Sequence, residues 1–69
     1  MRGKIKWYND LKGYGFIQRE DGADVFVHYS VIEVEGYRAL MGDQEVEYDC
    51  SEGPRGLQAT RVVPVKMNG

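Results

Sequence analysis

Between Lys12 and Tyr29 the chain carries two short runs, KGYGFI and DVFVHY, joined through the polar turn Glu20-Asp21-Gly22-Ala23. Side chains alternate across a strand with period two. Tyr14 and Phe16 therefore share one face of the first run, and Gly15 and Ile17 the other. In the second run Phe26 and His28 lie on one face and Val25 and Val27 on the opposite one. One face is aromatic throughout, and the other is small or aliphatic. Branched side chains pack well on a pleated surface, which makes the aliphatic face the core face. The aromatic face is then either a second core or a surface held open for flat ligands. Asp21-Gly22 is a hairpin signal, so the two runs should pair directly.

A chain of 69 residues makes a single domain, here over 1–69, with its core from about 2 to 65 and 66–69 as a tail. So short a chain buries only about 60% of its unfolded surface. One cysteine permits no internal disulfide, and one histidine permits no Cys/His zinc site. No cofactor and no metal is expected. No apolar run approaches the roughly 20 residues needed to cross a membrane, and no charged-then-apolar leader opens the chain. The expectation is a soluble, cytoplasmic domain that makes no use of a membrane.

The net charge is −2 and the pI about 5.2. The distribution matters more than the sum. Arg2, Lys4, Lys6, Lys12 and Arg19 face only Asp10 up to position 19, whereas acids outnumber bases by ten to four from Glu20 onward. An anionic ligand responds to the local field, and the basic part coincides with the start of the aromatic stretch.

Arg2–Asn9 reads as a first strand. Strict alternation would put Ile5 and Trp7 together and leave Lys4, Lys6 and Tyr8 opposite; a bulge near Lys6 would instead turn Trp7 away from the core. Asn9 to Gly13 supplies turn chemistry. Ser30 is placed to cap one helical turn through Val31, Ile32 and Glu33, with Glu33 at capping-box spacing. Glu35 to Asp43 reads as a long loop containing Tyr37, with Leu40 and Met41 as a plug over the barrel end. In Gln44–Ser51, Val46, Tyr48 and Cys50 point inward, while Glu45, Glu47 and Asp49 form a wet acidic face. After the breakers Glu52 to Gly56, Gln58–Val65 is the last strand, held to an edge or a strand end by Pro64. Five strands without a long helix indicate an all-β fold, a five-stranded antiparallel Greek-key β-barrel.

Two motifs carry the function. In Lys12-Gly13-Tyr14-Gly15-Phe16-Ile17 the glycines should leave neighbouring rings uncovered, so that a base can lie flat on them. In Val25-Phe26-Val27-His28-Tyr29 the imidazole shares a face with Phe26 and can stack or hydrogen-bond to a base edge. No Ser, Cys or Asp stands in a triad with His28, so the reading is not an enzyme.

The pair resembles the RNP1-like and RNP2-like motifs of the cold-shock domain, and the chain from Gly3 to about Val63 resembles a bacterial cold-shock protein. Gly3-Lys4-Ile5-Lys6-Trp7-Tyr8-Asn9, Phe26-Val27-His28, Glu35-Gly36-Tyr37 and Glu52-Gly53 carry the resemblance in order. It implies an OB-fold that binds single-stranded RNA and DNA with low sequence preference. Members are described as chaperones that melt RNA structure in the cold, some as antiterminators. Carried over by matching position, Lys6, Trp7, Lys12, Tyr14, Phe16, Phe26, His28, Tyr29 and Tyr37 would line the site. Asp24, Arg55 and Gln58 would contribute hydrogen bonds.

The chain departs from the family in several places. Tyr8, Tyr14 and Tyr29 stand where phenylalanine is usual, Leu57 where proline often precedes Gln58-Ala59, and Cys50 at a core position usually aliphatic. The RNA-recognition motif shares K-G-Y-G-F, but it needs two helices and places RNP2 before RNP1. A peptide-binding barrel with exposed aromatics is the alternative from another class. A small nuclease would need carboxylates facing a basic site, and those of Glu45, Glu47 and Asp49 sit on a strand of their own. A monomer is expected, with a dimer as the alternative.

Overall fold

The structure, a computed structural model, describes residues 1–33, 40–54 and 56–65. Tyr37, Arg55, part of the Glu35–Asp43 loop and the tail 66–69 lie outside the described residues. Five strands form among the described residues: β1 (Arg2–Asn9), β2 (Tyr14–Gln18), β3 (Asp24–His28), β4 (Glu45–Gly53) and β5 (Gly56–Pro64). They close into a barrel in the order β1-β2-β3-β5-β4, with β4 returning to pair with β1. Four of the pairings are antiparallel, and the seam between β3 and β5 is parallel, at Phe26 opposite Gln58.

The aliphatic face lies inward as the pattern requires. Ile5, Ile17, Val25, Val27, Val46 and Val62 are fully buried, joined by Ile32, Leu40, Tyr48 and Ala59. Burying one such side chain contributes about 1.5–3 kcal/mol. Closure leaves no long free sheet edge among the described residues, which suits a chain with so small an interior.

Bulges in β1 and β5 break the alternation. In β1, Ile5 pairs with Ile17 and Trp7 with Phe16, so Lys6 is surplus. The bulge expected near Lys6 is present, and it moves Tyr8 from the outward set to a place against the core. In β5, Arg61 pairs with Asp49 and Ala59 with Cys50, so Thr60 is surplus. The bulge leaves Ala59 and Val62, three residues apart, both buried. Pro64 ends β5, as its missing N–H requires.

Three local expectations need correction. Ser30 does not cap the turn after β3. His28 is the cap, extended at φ −116° and ψ 149°, and a 3-10 turn follows at Tyr29–Val31. An imidazole nitrogen accepts from a backbone N–H as a hydroxyl would, which displaces the serine from that role. Of the two residues expected as the plug only Leu40 is buried, 5% exposed, for Met41 is 75% exposed. Met41 belongs to a tight turn in which its N–H donates to Gln44 Oε1 at 3.0 Å and its carbonyl accepts from Gln44 N–H at 3.1 Å. Cys50 packs against the core but is only half-buried.

Candidate nucleic-acid interface

The outward face of β1, β2 and β3 is set by the register. Asn9, Tyr14 and His28 stand side by side on one rung, and Trp7, Phe16 and Phe26 on the next. None of these rings belongs to the core cluster. They touch one another instead. Trp7 lies 5.8 Å from Tyr14 and 5.4 Å from Phe16, centroid to centroid. Phe26 lies 5.7 Å from Phe16 and 6.0 Å from Tyr14, and His28 lies 4.5 Å from Tyr29. Trp7 is 42% exposed and Tyr29 47%, while Tyr14, Phe16, Phe26 and His28 are half-buried by their neighbours. Edge-to-face contacts near 5–6 Å are favourable for rings and fix their tilt.

The glycines of KGYGFI do something more specific than uncovering rings. Gly15 is buried where β2 meets the bulged part of β1. A Cβ there would run into the Trp7 carbonyl oxygen and come within 2.8 Å of Tyr8 Cα. Gly13 has φ +76°, and a Cβ would strike the Tyr29 ring at 2.5 Å. It also accepts the Tyr29 N–H on its carbonyl at 2.9 Å. Gly13 therefore seats Tyr29 beside the platform. The turn before it is organised by Asn9, whose Oδ1 accepts from Leu11 N–H at 3.1 Å and Lys12 N–H at 3.0 Å. This presents Lys12, exposed, at the Tyr14–His28 end. Neither Asn9 nor Gly13 is among the site residues expected from sequence, although an Asn opening a Gly-ended turn is the signal for such an arrangement.

His28 has a fixed hydrogen-bonding state. Its Nδ1 accepts from Ser30 N–H at 3.3 Å and lies 2.9 Å from Ser30 Oγ. A backbone N–H can only donate, so the proton of the neutral ring sits on Nε2. Lys6 and Asp24, both partly exposed, form an ion pair with Nζ 3.2 Å from Oδ2. Gln58 stands beside Phe26 across the parallel seam, and its side chain lies over Gly53. Of the residues expected at the site, Lys6, Trp7, Lys12, Tyr14, Phe16, Asp24, Phe26, His28, Tyr29 and Gln58 lie on or border this one face. Tyr37 and Arg55 lie outside the described residues.

The acidic face expected on β4 is present, though not unopposed. Arg2 lies between Glu45, at 3.8 Å, and Glu47, at 3.9 Å. Arg61, across from Asp49, pairs with Glu33 at 2.7 Å. Among the described residues no group of His, Cys, Asp or Glu is placed to hold a metal ion. No helix among them is long and apolar enough to cross a membrane.

Residues 1–65 match the model of the 'Cold-shock' DNA-binding domain. The chain belongs to the cold-shock domain family. Members of this family bind nucleic acid, and no catalytic activity is associated with them. This cold-shock domain is 56% identical over 63 residues to the cold shock-like protein CspC of Bacillus cereus, covering 91% of this chain and 97% of that one. It is 52% identical over 66 residues to a cold shock-like protein of Thermotoga maritima, covering 96% and 100%. Among solved structures it resembles one described as "drosophila Unr CSD456", with a TM-score of 0.72 and 26% identity. That match covers 97% of this chain and 27% of the longer one.

Proposed function

We propose that this cold-shock domain binds single-stranded RNA and DNA with low sequence specificity by stacking unpaired bases on its outward rings. The observation that carries the reading is the continuous set of ring contacts from Trp7 through Tyr14, Phe16 and Phe26, on the sheet face turned away from the core. A stacked base contributes about 1–3 kcal/mol and any base can supply it, because every base has a π-face. Trp7, Phe16, Phe26, His28 and Tyr29 stack, and Tyr14 and Tyr37 flank the track. Nε2–H of His28 donates to a base carbonyl, since Nδ1 is committed to Ser30. Asp24 and Gln58 hydrogen-bond to base edges. Lys6, Lys12 and Arg55 answer phosphates, Lys6 by exchanging its exposed partner Asp24 for the ligand. The ligand covers about six or seven nucleotides, within the range for one OB-fold.

Melting of RNA hairpins follows by mass action. A protein that binds the unpaired form and not the duplex shifts the equilibrium toward it, as any ligand selective for one state does. The domain thus acts as a nucleic-acid chaperone, monomeric and cytoplasmic, without catalysis or cofactor, in cold adaptation, antitermination or translation. The test uses the single tryptophan. Heptathymidine should quench Trp7 fluorescence, and neither a duplex of equal length nor a proline-rich peptide should. Quenching by the peptide instead would point to a protein-binding barrel. Labelled RNA should remain uncut throughout.

A further inference from the structure

The outward face of β1–β3 does not end with its rings. Beyond the Trp7–Phe16–Phe26 rung the register places one more, Lys4 beside Gln18 and Gln18 beside Asp24. Lys4 is outward because Gly3 and Ile5 on either side of it are buried, and Gln18 is outward because it continues the alternation of Tyr14 and Phe16. Residues two apart on a strand are about 6.6 Å apart, so this rung lies close to one nucleotide's length past Phe16. It has no ring. Beside Asp24, which is paired with Lys6, it offers an ammonium group and a side-chain amide, which can meet a phosphate and a base edge but cannot stack.

The rung opens into a cleft of about 280 Å³ lined by Arg2, Lys4, Gln18, Arg19, Glu20 and Glu45. The charges in it are not equivalent. Arg2 is engaged by Glu45 and Glu47, and Arg19 by Asp21 at 3.2 Å. Lys4 forms no ion pair with any described residue. Glu45 is its cross-strand neighbour but is held on the Arg2 side. A free ammonium therefore stands in line with the Lys6–Asp24 pair, at this cleft. Arg19, partly buried, lines the same cleft from the turn after β2.

We infer that the bound single strand runs on past the rings over the Lys4–Gln18 rung, where Lys4 takes a backbone phosphate and Gln18 a base edge, with Arg19 beyond. This rests on the platform reading above and adds a ring-free subsite to it. The rings would hold the strand by stacking, while this end would hold it by charge. Only ligands longer than the platform would sense it.

The experiment compares labelled heptathymidine and nonathymidine on the wild type, Lys4→Gln and Lys4→Gln/Arg19→Gln. Thermal melting of each variant shows that the barrel remains folded, as expected for side chains outside the core cluster. Heptathymidine affinity should be unchanged by either variant. Nonathymidine affinity should fall by about two- to fivefold with Lys4→Gln, the weight of one exposed ion pair. The slope of log affinity against log salt for nonathymidine should become shallower by about 0.7 for each phosphate that is no longer neutralised. Equal weakening of both oligomers would overturn the inference, because Lys4 would then act through the general field. No effect on either would overturn it as well. Failure of the wild type to bind heptathymidine would instead sink the platform reading itself, an outcome distinct from disappearance of the length-dependent increment.

Discussion

Phe16 is the test of whether stacking holds the ligand. It sits at the middle of the ring rung, 5.4 Å from Trp7 and 5.7 Å from Phe26. Phe16→Ala removes both ring pairs, each worth about 0.5–1.5 kcal/mol when fully formed. The ring is half-exposed, so the loss of stability should fall in the lower part of that sum, about 1–2 kcal/mol. In a domain of this size that lowers Tm by roughly 4–15 °C. Binding loses one base stack, about 1–3 kcal/mol, or roughly 5- to 150-fold in Kd. The two effects separate in a second variant. Phe16→Leu restores apolar volume without a π-face, so stability should largely return while affinity stays low. Anisotropy of labelled heptathymidine is the appropriate assay, since Trp7 touches Phe16 and its own emission will change with the substitution. Measurements belong well below the Tm of each variant. If folded Phe16→Leu binds as tightly as the wild type, the contact is apolar area and not stacking, and the proposed mechanism is wrong.

Further outcomes are expected. Gly15→Ala should destabilise by about 2–3 kcal/mol or more, because its Cβ meets backbone that cannot turn aside; a Tm within experimental error of the wild type would contradict this. Asp24→Asn breaks the exposed pair with Lys6, so stability should change by no more than about 1 kcal/mol, while loss of the carboxylate that meets a base edge should weaken heptathymidine binding in a filter assay; equal or tighter binding would remove Asp24 from the site. Burial, aided by the neighbouring Cys50, raises the Tyr48 hydroxyl above its ordinary value near 10. The stability from keeping Tyr48 neutral is thus complete below pH 10 and lost as pH rises through the raised value. Alkaline denaturation followed by circular dichroism should start at higher pH in Tyr48→Phe. Few cations line the ring track, so heptathymidine binding should release about two or three counterions; a steeper salt slope would show that charge outweighs stacking.

Much of this surface is legible in the sequence because it obeys period two. Tyr14, Phe16, Phe26 and His28 fall on one face and Val25 and Val27 on the other for a reason visible in six-residue windows. Trp7 is legible only if a bulge is allowed, since alternation alone assigns it with Ile5. What stays hidden depends on contacts between distant segments. Gly15 is dictated by the approach of Trp7 and Tyr8 from another strand, and Lys6–Asp24 by the pairing of β1 with β2 and β2 with β3. The cap at His28 escapes sequence reasoning because Ser, Thr, Asp and Asn are the residues favoured at that position, and an imidazole nitrogen in the same place does the same work. Thr60 is hidden because a surplus residue in β5 shows only when its partner strand is counted.

The surplus residue in β1 has one more implication. Were position 6 absent, Ile5 would still face in, Trp7 out, Tyr8 in and Asn9 out, so the alternation needed to wrap the interior would survive intact. The additional amino acid thus gives the sheet two successive solvent-facing side chains, a cation followed at once by an indole. A single nucleotide could then meet both of its chemistries, anionic linkage and flat base, within one peptide step of the same strand.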